Sequence, residues 1–248
     1  REAFGAALDS VKSREHITNV LNASAQLFRR DAALTVEEDT SRLSALVELD
    51  PAASTVSVNA LIDDDVDAII VQPTDNAVLS EALRRANAAG IPVVAYDQYI
   101  LGGNLASYVT SDNRQAGELD GEYIASLFED SHVVQLVLIE YPHVSSTVER
   151  LDGFLHALEA QKQRYKILKS YKAVEPVAGK KAGEAILRDF PKRGSVDVVF
   201  SVNDGGGLAV VDVLAKAGRS EIRVATIDGD PASVANIRNG QLTVIDAA

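Results

Sequence analysis

The chain has no cysteine. That excludes disulfides, thiolate catalysis and cysteine-ligated zinc. It does not fix the compartment, although it suits a protein working in an oxidising one. Methionine is also absent, where a protein of 248 residues usually carries several. Histidine is scarce. His16, His132, His143 and His156 fall in different predicted elements and never at a spacing such as HExxH, so no metal site is expected. Basic charge is in deficit, with 24 Lys and Arg against 36 Asp and Glu, a net charge of −12. That balance argues against a phosphate-binding surface and against nucleic acid as a partner. No apolar run approaches the length of a membrane span, so no part of this segment is expected to insert in a bilayer. No signal peptide is visible, but the first residue is Arg1 rather than methionine, so a processed or trimmed start is expected.

Several chemical signatures are missing too. No GxGxxG follows the first predicted strand and no GxxxxGK[ST] occurs, so nucleotide phosphates have no cradle and no cofactor is expected. There is no GxSxG elbow. Gly205-Gly206-Gly207 follows a strand and opens a helix, a weak anion-site signal. The preferred reading is that small residues there admit close packing or close approach of a ligand. Asp97, Asp204 and Asp228 include candidates for an acid/base pair of glycoside hydrolysis, but that chemistry is defined by a carboxylate separation. No catalytic residue is assigned.

What is present is a soluble globular composition, 46% hydrophobic and 24% charged. The length suffices for one large domain or two lobes with separate cores. The organising stretch runs over residues 66–113. An apolar run at 68–71 stops at Gln72-Pro73. A helical stretch at 76–89 follows, with Val78, Leu79, Leu83 and Ala86 on one face, and Gly90 ends it. A second apolar run at 91–95 stops at Tyr96-Asp97. Apolar runs joined by a one-sided helix make a βαβ unit of parallel strands buried on both faces. Open parallel sheets bind ligands beyond the carboxyl ends of their strands.

The rest of the chain repeats this unit. Residues 1–16 suit a helix or linker. Strands are predicted at 17–21 and 43–49, with a helix between them carrying Leu27, Phe28 and Leu34. Ser54 or Thr55 can cap a helix reaching Ile62. With a further strand near 106, these elements describe a doubly wound first lobe over 17–112. Ser111, Asp112 and Asn113 are turn and cap formers at the crossing into a second lobe over 113–248. There, helices at 116–127, 147–160, 178–187, 207–217 and 232–239 alternate with strands at 133–139, 165–171, 196–201, 222–227 and 242–245. The fold class expected is α/β, with two doubly wound parallel-sheet lobes joined by a hinge.

The polar residues at strand ends suit binding better than catalysis. Asp97, Asn203 and Asp228 each follow a strand and can take pairs of neighbouring hydroxyls. Arg150 supplies a planar fork of donors. Phe28 offers an apolar face. A sugar has the matching character, with hydroxyls round its edge and C–H patches on its faces. Asn203-Asp204 and Asp228-Gly229 are also ordinary turn and cap pairs.

The stretches VDAIIVQPTDN, ANAAGIPVVAYDQ, YVTSDNRQAGELDGEYIA, ERLDGFLHAL, VVFSVNDGGGLAVVDVLAKAG and ATIDGDPASVANIRNGQL carry a resemblance. In family order over 66–245, the chain resembles the periplasmic sugar-binding proteins of ABC importers, the ribose, xylose and galactose group of the LacI-like superfamily. The resemblance implies two lobes closing on a sugar like a hinged trap. It implies that Asp97 takes a pair of hydroxyls, that Arg150, Asn203 and Asp228 serve from the second lobe, and that Gln72 is a polar contact in the first. Phe28, in QLFRRD, is similar to the aromatic that stacks on the ring in the xylose-binding branch. There are departures. Gln98 stands where the family usually has Arg, which removes a charged fork. Tyr141 and His143 sit in a loop that often holds small residues, and they could reshape the pocket. The first strand and helix match poorly, and the family's last crossing back to the first lobe is not seen after Ala248.

The function expected is capture of a sugar or sugar-like molecule and its delivery to an ABC transporter permease, by a periplasmic or extracellular monomer, with a lipid anchor as an option. The alternatives are the ligand-sensing domain of a membrane receptor or histidine kinase, and the effector domain of a LacI-type regulator. The regulator would need a basic helix-turn-helix ahead of the first strand.

Overall fold

A computed structural model describes residues 51–246. The stretch expected as a helix or linker at 1–16, the strands expected at 17–21 and 43–49 and the helix between them lie outside the described residues. The chain forms two compact units. The first runs up to Thr110 and includes His143–Ser145. The second holds Ser111–Pro142 and the chain from Ser146 onward.

In the first unit, α1 (Pro51–Asp63), β1 (Ile69–Val71), α2 (Ser80–Ala88), β2 (Val93–Tyr96) and β3 (Ser107–Val109) follow in order. The strands form one parallel sheet in the order β1-β2-β3. Its core joins Val58 and Ile62 of α1 and Leu83 and Ala86 of α2 to Ile69, Val71, Val93 and Ala95. Two helix starts differ from expectation. Helix α1 is described over Pro51–Asp63, so Ser54 and Thr55 lie within it and neither caps its start. Helix α2 starts at Ser80, not at Asn76. The Asp75 carboxylate accepts from Ala77 N (2.7 Å) and Val78 N (3.1 Å), so a side chain-directed turn takes the place of the first helical turn. Val78 is therefore 38% exposed, while Leu79, Leu83 and Ala86 are buried as read.

The second unit comprises α3 (Asn113–Ser126), β4 (Val134–Glu140), α4 (Ser145–Ala160, whose first residue belongs to the first unit), β5 (Tyr165–Lys172), α5 (Pro176–Asp189), β6 (Val198–Ser201), α6 (Asp204–Lys216), β7 (Arg223–Ile227), α7 (Pro231–Arg238) and β8 (Val244–Asp246). The sheet is parallel throughout, in the order β5-β4-β6-β7-β8. The order reverses between β4 and β6, the switch point of a doubly wound sheet. Leu136 and Leu138 face one layer, with Ala116, Ile124 and Phe154; Val137 and Ile139 face the other, with Ile186, Val210 and Leu214. Both faces of the strands are apolar because helices cover both. The rings of Phe154 and Phe200 stack at 4.0 Å across one layer. Strand β5 is an edge. Among the described residues it pairs only with β4, and it exposes Lys166, Lys169 and Lys172.

Helices α3 and α4 approach closely. A Cβ on Gly117 would lie 2.0 Å from the Arg150 carbonyl oxygen, and one on Gly153 would lie 2.1 Å from that of Arg114. The two glycines let the backbones meet, and no other residue fits without moving a helix. One turn further along α3, Asp120 is 0% exposed, and neither carboxyl oxygen has a hydrogen-bond partner among the described residues. Burial pushes its pKa well above the ordinary carboxylate value, and the negative charges of Asp246 and Asp204 push it further.

Two outcomes follow from this packing. Gly153→Ala lowers the unfolding free energy by about 3 kcal/mol, read by urea titration, because the new methyl meets backbone rather than a movable side chain. For Asp120 the folded pKa exceeds the unfolded one. Its contribution therefore favours folding when protonated and is lost as pH rises from the unfolded value toward the folded one. Asp120→Asn raises the melting temperature at neutral pH by roughly a few degrees, and the gain fades below about pH 4. A constant difference between the two proteins at every pH would contradict this.

Candidate functional site

Strands β1 and β2 run side by side in register, with Val71 opposite Ala95. The residues just beyond them, Gln72 and Asp97, therefore meet at the carboxyl edge of the sheet. Gln72 Nε2 donates to Asp97 Oδ2 at 2.6 Å, and Gln98 Nε2 donates to the same oxygen at 3.2 Å. Asp97 has φ 62°, in the left-handed region that Asp tolerates better than most residues. The turn is held by its own backbone: Asp97 N donates to Val109 O (2.9 Å), and Asp97 O accepts from Tyr108 Oη (3.1 Å) and Thr110 Oγ1 (3.0 Å). Tyr96 just before it has its pKa raised, by burial first and by the Asp97 charge second. Gln98 Oε1 accepts from Ser145 Oγ at 3.3 Å, and that hydroxyl accepts from Tyr99 N at 2.8 Å. Gln72, Asp97 and Gln98 thus form one hydrogen-bonded group. Exposed His143, in the same unit, places Nδ1 3.9 Å from Asp75 Oδ2.

In the second unit the centre is Arg150, on α4 and 7% exposed. Its Nε donates to Asn113 Oδ1 (2.9 Å). Its Nη1 donates to Val202 O (3.0 Å) and to Asp228 Oδ1 (2.7 Å). Asp228 lies directly after β7, exposed, with φ 134°. Its Oδ2 accepts from Asp204 N at 3.3 Å, and its N–H donates to Asp246 O at 2.9 Å. Burial raises the pKa of Asp204, and the N–H of Asp230 bonded to its carboxylate (2.8 Å) counters this. Burial raises Asp246 as well, with Arg150 pulling it back.

Asn203 does not join Arg150 and Asp228. It caps α6, with Oδ1 accepting from Gly206 N (3.1 Å) and Nδ2 donating to Val174 O (3.0 Å). The glycine run after it serves packing: a Cβ on Gly205 would lie 2.4 Å from Val174 O, and one on Gly207 2.7 Å from Thr226 Oγ1. Tyr141 is half-buried just beyond β4, and its carbonyl accepts from Thr147 Oγ1. Phe28 lies outside the described residues. Among the described residues no group of three or more His, Asp and Glu is arranged to hold a metal ion, and no helix is long and apolar enough to cross a membrane.

Sequence reading missed Asn113 and Ser145. Asn113 reads as one more turn former in SDN, yet Asp112 makes the cap by accepting from Gln115 N, and Asn113 turns to Arg150. Ser145 had no signal, because its partner Gln98 lies 47 residues away.

Comparison with known proteins places this geometry. A family model described as a periplasmic binding protein domain matches residues 29–247. The ribose import binding protein RbsB of Bacillus subtilis is 31% identical over 195 residues, which cover 78% of this chain and 61% of that protein. The RbsB of Escherichia coli K12 is 31% identical over 194 residues, 77% of this chain and 63% of that protein. The chain therefore spans about three-fifths of the length of these curated relatives. Among solved structures, a galactofuranose binding protein superposes with a TM-score of 0.71 at 21% identity, over 91% of this chain and 75% of the other. The Caulobacter myo-inositol binding protein bound to myo-inositol gives 0.71 at 22% identity, over 78% and 66%. At such identities the structural likeness is one of fold. Parallel sheets with polar groups gathered at their carboxyl edges, and a family match over most of the sequence, agree: the chain belongs to the periplasmic binding protein family.

Proposed function

We propose that this protein is a solute-binding protein that captures a sugar or sugar-like molecule and delivers it to the permease of an ABC importer, working as a periplasmic or extracellular monomer and catalysing no reaction. The observation that carries this reading is Asp97. It sits at the carboxyl end of β2 in a left-handed turn, with one carboxylate oxygen held by two amides and the other making no hydrogen bond among the described residues. An acceptor fixed in this way suits neighbouring hydroxyls. Arg150, held by Asn113 and Asp228, supplies charged donors of fixed direction for ring or hydroxyl oxygens. Gln72 and Asp228 are further contacts, and Tyr141 shapes the surroundings. The relatives named as ribose import binding proteins support import over sensing or transcriptional regulation.

A thermal-shift screen of the protein against pentoses, hexoses, polyols and nucleosides tests the proposal. A binder raises the melting temperature by mass action, by a free energy that grows with its concentration over Kd. Intact ligand recovered afterwards excludes turnover. A screen with no shift for any sugar or polyol would count against the reading. Asp97→Ala and Arg150→Ala each weaken binding of the identified ligand about a hundredfold or more in calorimetric titration, since charged hydrogen bonds contribute roughly 1.5–3 kcal/mol each. Unchanged affinity would remove that residue from the site.

A further inference from the structure

Gln98 is a polar residue beside the candidate ligand acceptor, yet it is only 7% exposed and both ends of its amide are engaged. Its environment fixes which end is which. Ser145 Oγ accepts from Tyr99 N, so its single proton is available for Gln98 Oε1. Tyr108 Oη, 3.3 Å from the same hydroxyl, spends its proton on Asp97 O. Ser145 is itself anchored through its N–H to Asn76 Oδ1 at 3.0 Å. With Oε1 held, Nε2 must face Asp97 Oδ2.

We propose that Gln98 is a positioning residue: locked by the Ser145 hydroxyl, its amide orients the Asp97 carboxylate so that Oδ1 is presented to the ligand while Oδ2 stays occupied. This rests on the reading of Asp97 as a ligand contact. The chemistry of the residue matters as much as its place. A cation at this position would pair with Asp97 and offset its charge. A neutral amide holds the carboxylate without cancelling that charge, so Asp97 keeps its full strength as an acceptor. The other donor to Oδ2, Gln72, is exposed and, among the described residues, has no comparable lock on its orientation. The Asp97 side of the site is thereby set for ligand groups that present donors.

The test uses Gln98→Glu and Gln98→Leu. The glutamate is nearly isosteric but cannot donate while ionised, and the neighbouring Asp97 raises the pH at which it takes a proton. With the ligand identified by screening, Gln98→Glu binds at least a hundredfold more weakly than the wild type at about pH 8. The ratio between the two closes at about pH 5, where the introduced carboxyl group regains an O–H that replaces the amide N–H. A ratio that stays constant from about pH 5 to about pH 8, or wild-type affinity at pH 8, overturns the proposal. A second arm needs no ligand. The crystal structure of Gln98→Leu shows the Asp97 carboxylate turned from its wild-type orientation, and an unmoved carboxylate overturns the proposal as well. If the wild type binds nothing in the screen while the carboxylate turns in Gln98→Leu, the sugar-binding reading fails and the positioning role stands.

Discussion

The second unit depends on how one buried cation is satisfied. Arg150 is held by the side chain of Asn113 on α3, the carbonyl of Val202 after β6 and the carboxylate of Asp228 after β7. A guanidinium this buried is tolerable only when its donors are met. Meeting them ties two helices and two strand ends into one arrangement. Its backbone takes part as well, because the Arg150 carbonyl is the atom that a Cβ at Gly117 would strike. The glycines of α3 and α4 therefore belong to the same constraint as the ion pair. They bring α3 close enough for Asn113 to reach the guanidinium.

The first unit reaches a comparable result without a cation. Register alone brings Gln72 beside Asp97, since residues that follow two adjacent parallel strands in register share an edge. The left-handed turn at Asp97 then aims the carboxylate, and a serine brought in from residues 143–145 holds the amide that holds it. In both units the polar side chains are ordered by neighbours before any ligand is considered. Such preorganisation reduces the ordering penalty of binding.

Much of this fold was legible as alternation of apolar runs and one-sided helices, because parallel strands buried on both faces leave that pattern. Boundaries moved where a side chain competed with the backbone, as Asp75 does ahead of α2. Helix α3 shows a deeper limit. Its Leu119 and Tyr123 are 48% and 46% exposed, while Asp120 between them is buried. Hydrophobic patterning would place these residues the other way round, and only the seating of the helix against the sheet and against α4 reverses them. Among the candidate site residues, the positions of Asp97, Arg150 and Asp228 at strand ends and on a helix after a strand were readable from the pattern of apolar runs. The roles of Gln98 and Asn113 were not, since each depends on a partner distant in sequence. Asn203, expected as a ligand contact and also an ordinary cap former, caps α6 with both ends of its amide engaged.

The edge of the larger sheet has a consequence for the protein in concentrated solution. Among the described residues, strand β5 has a neighbour on one side only, an invitation for a strand of another molecule to dock. Its exposed Lys166, Lys169 and Lys172 would have to surrender their hydration for that to happen, and two such edges would bring like charges together. The lysine stripe on a chain of net charge −12 thus acts as a guard against self-association through the sheet. Replacing those lysines with apolar residues would leave the fold's interior untouched and open a route to aggregation.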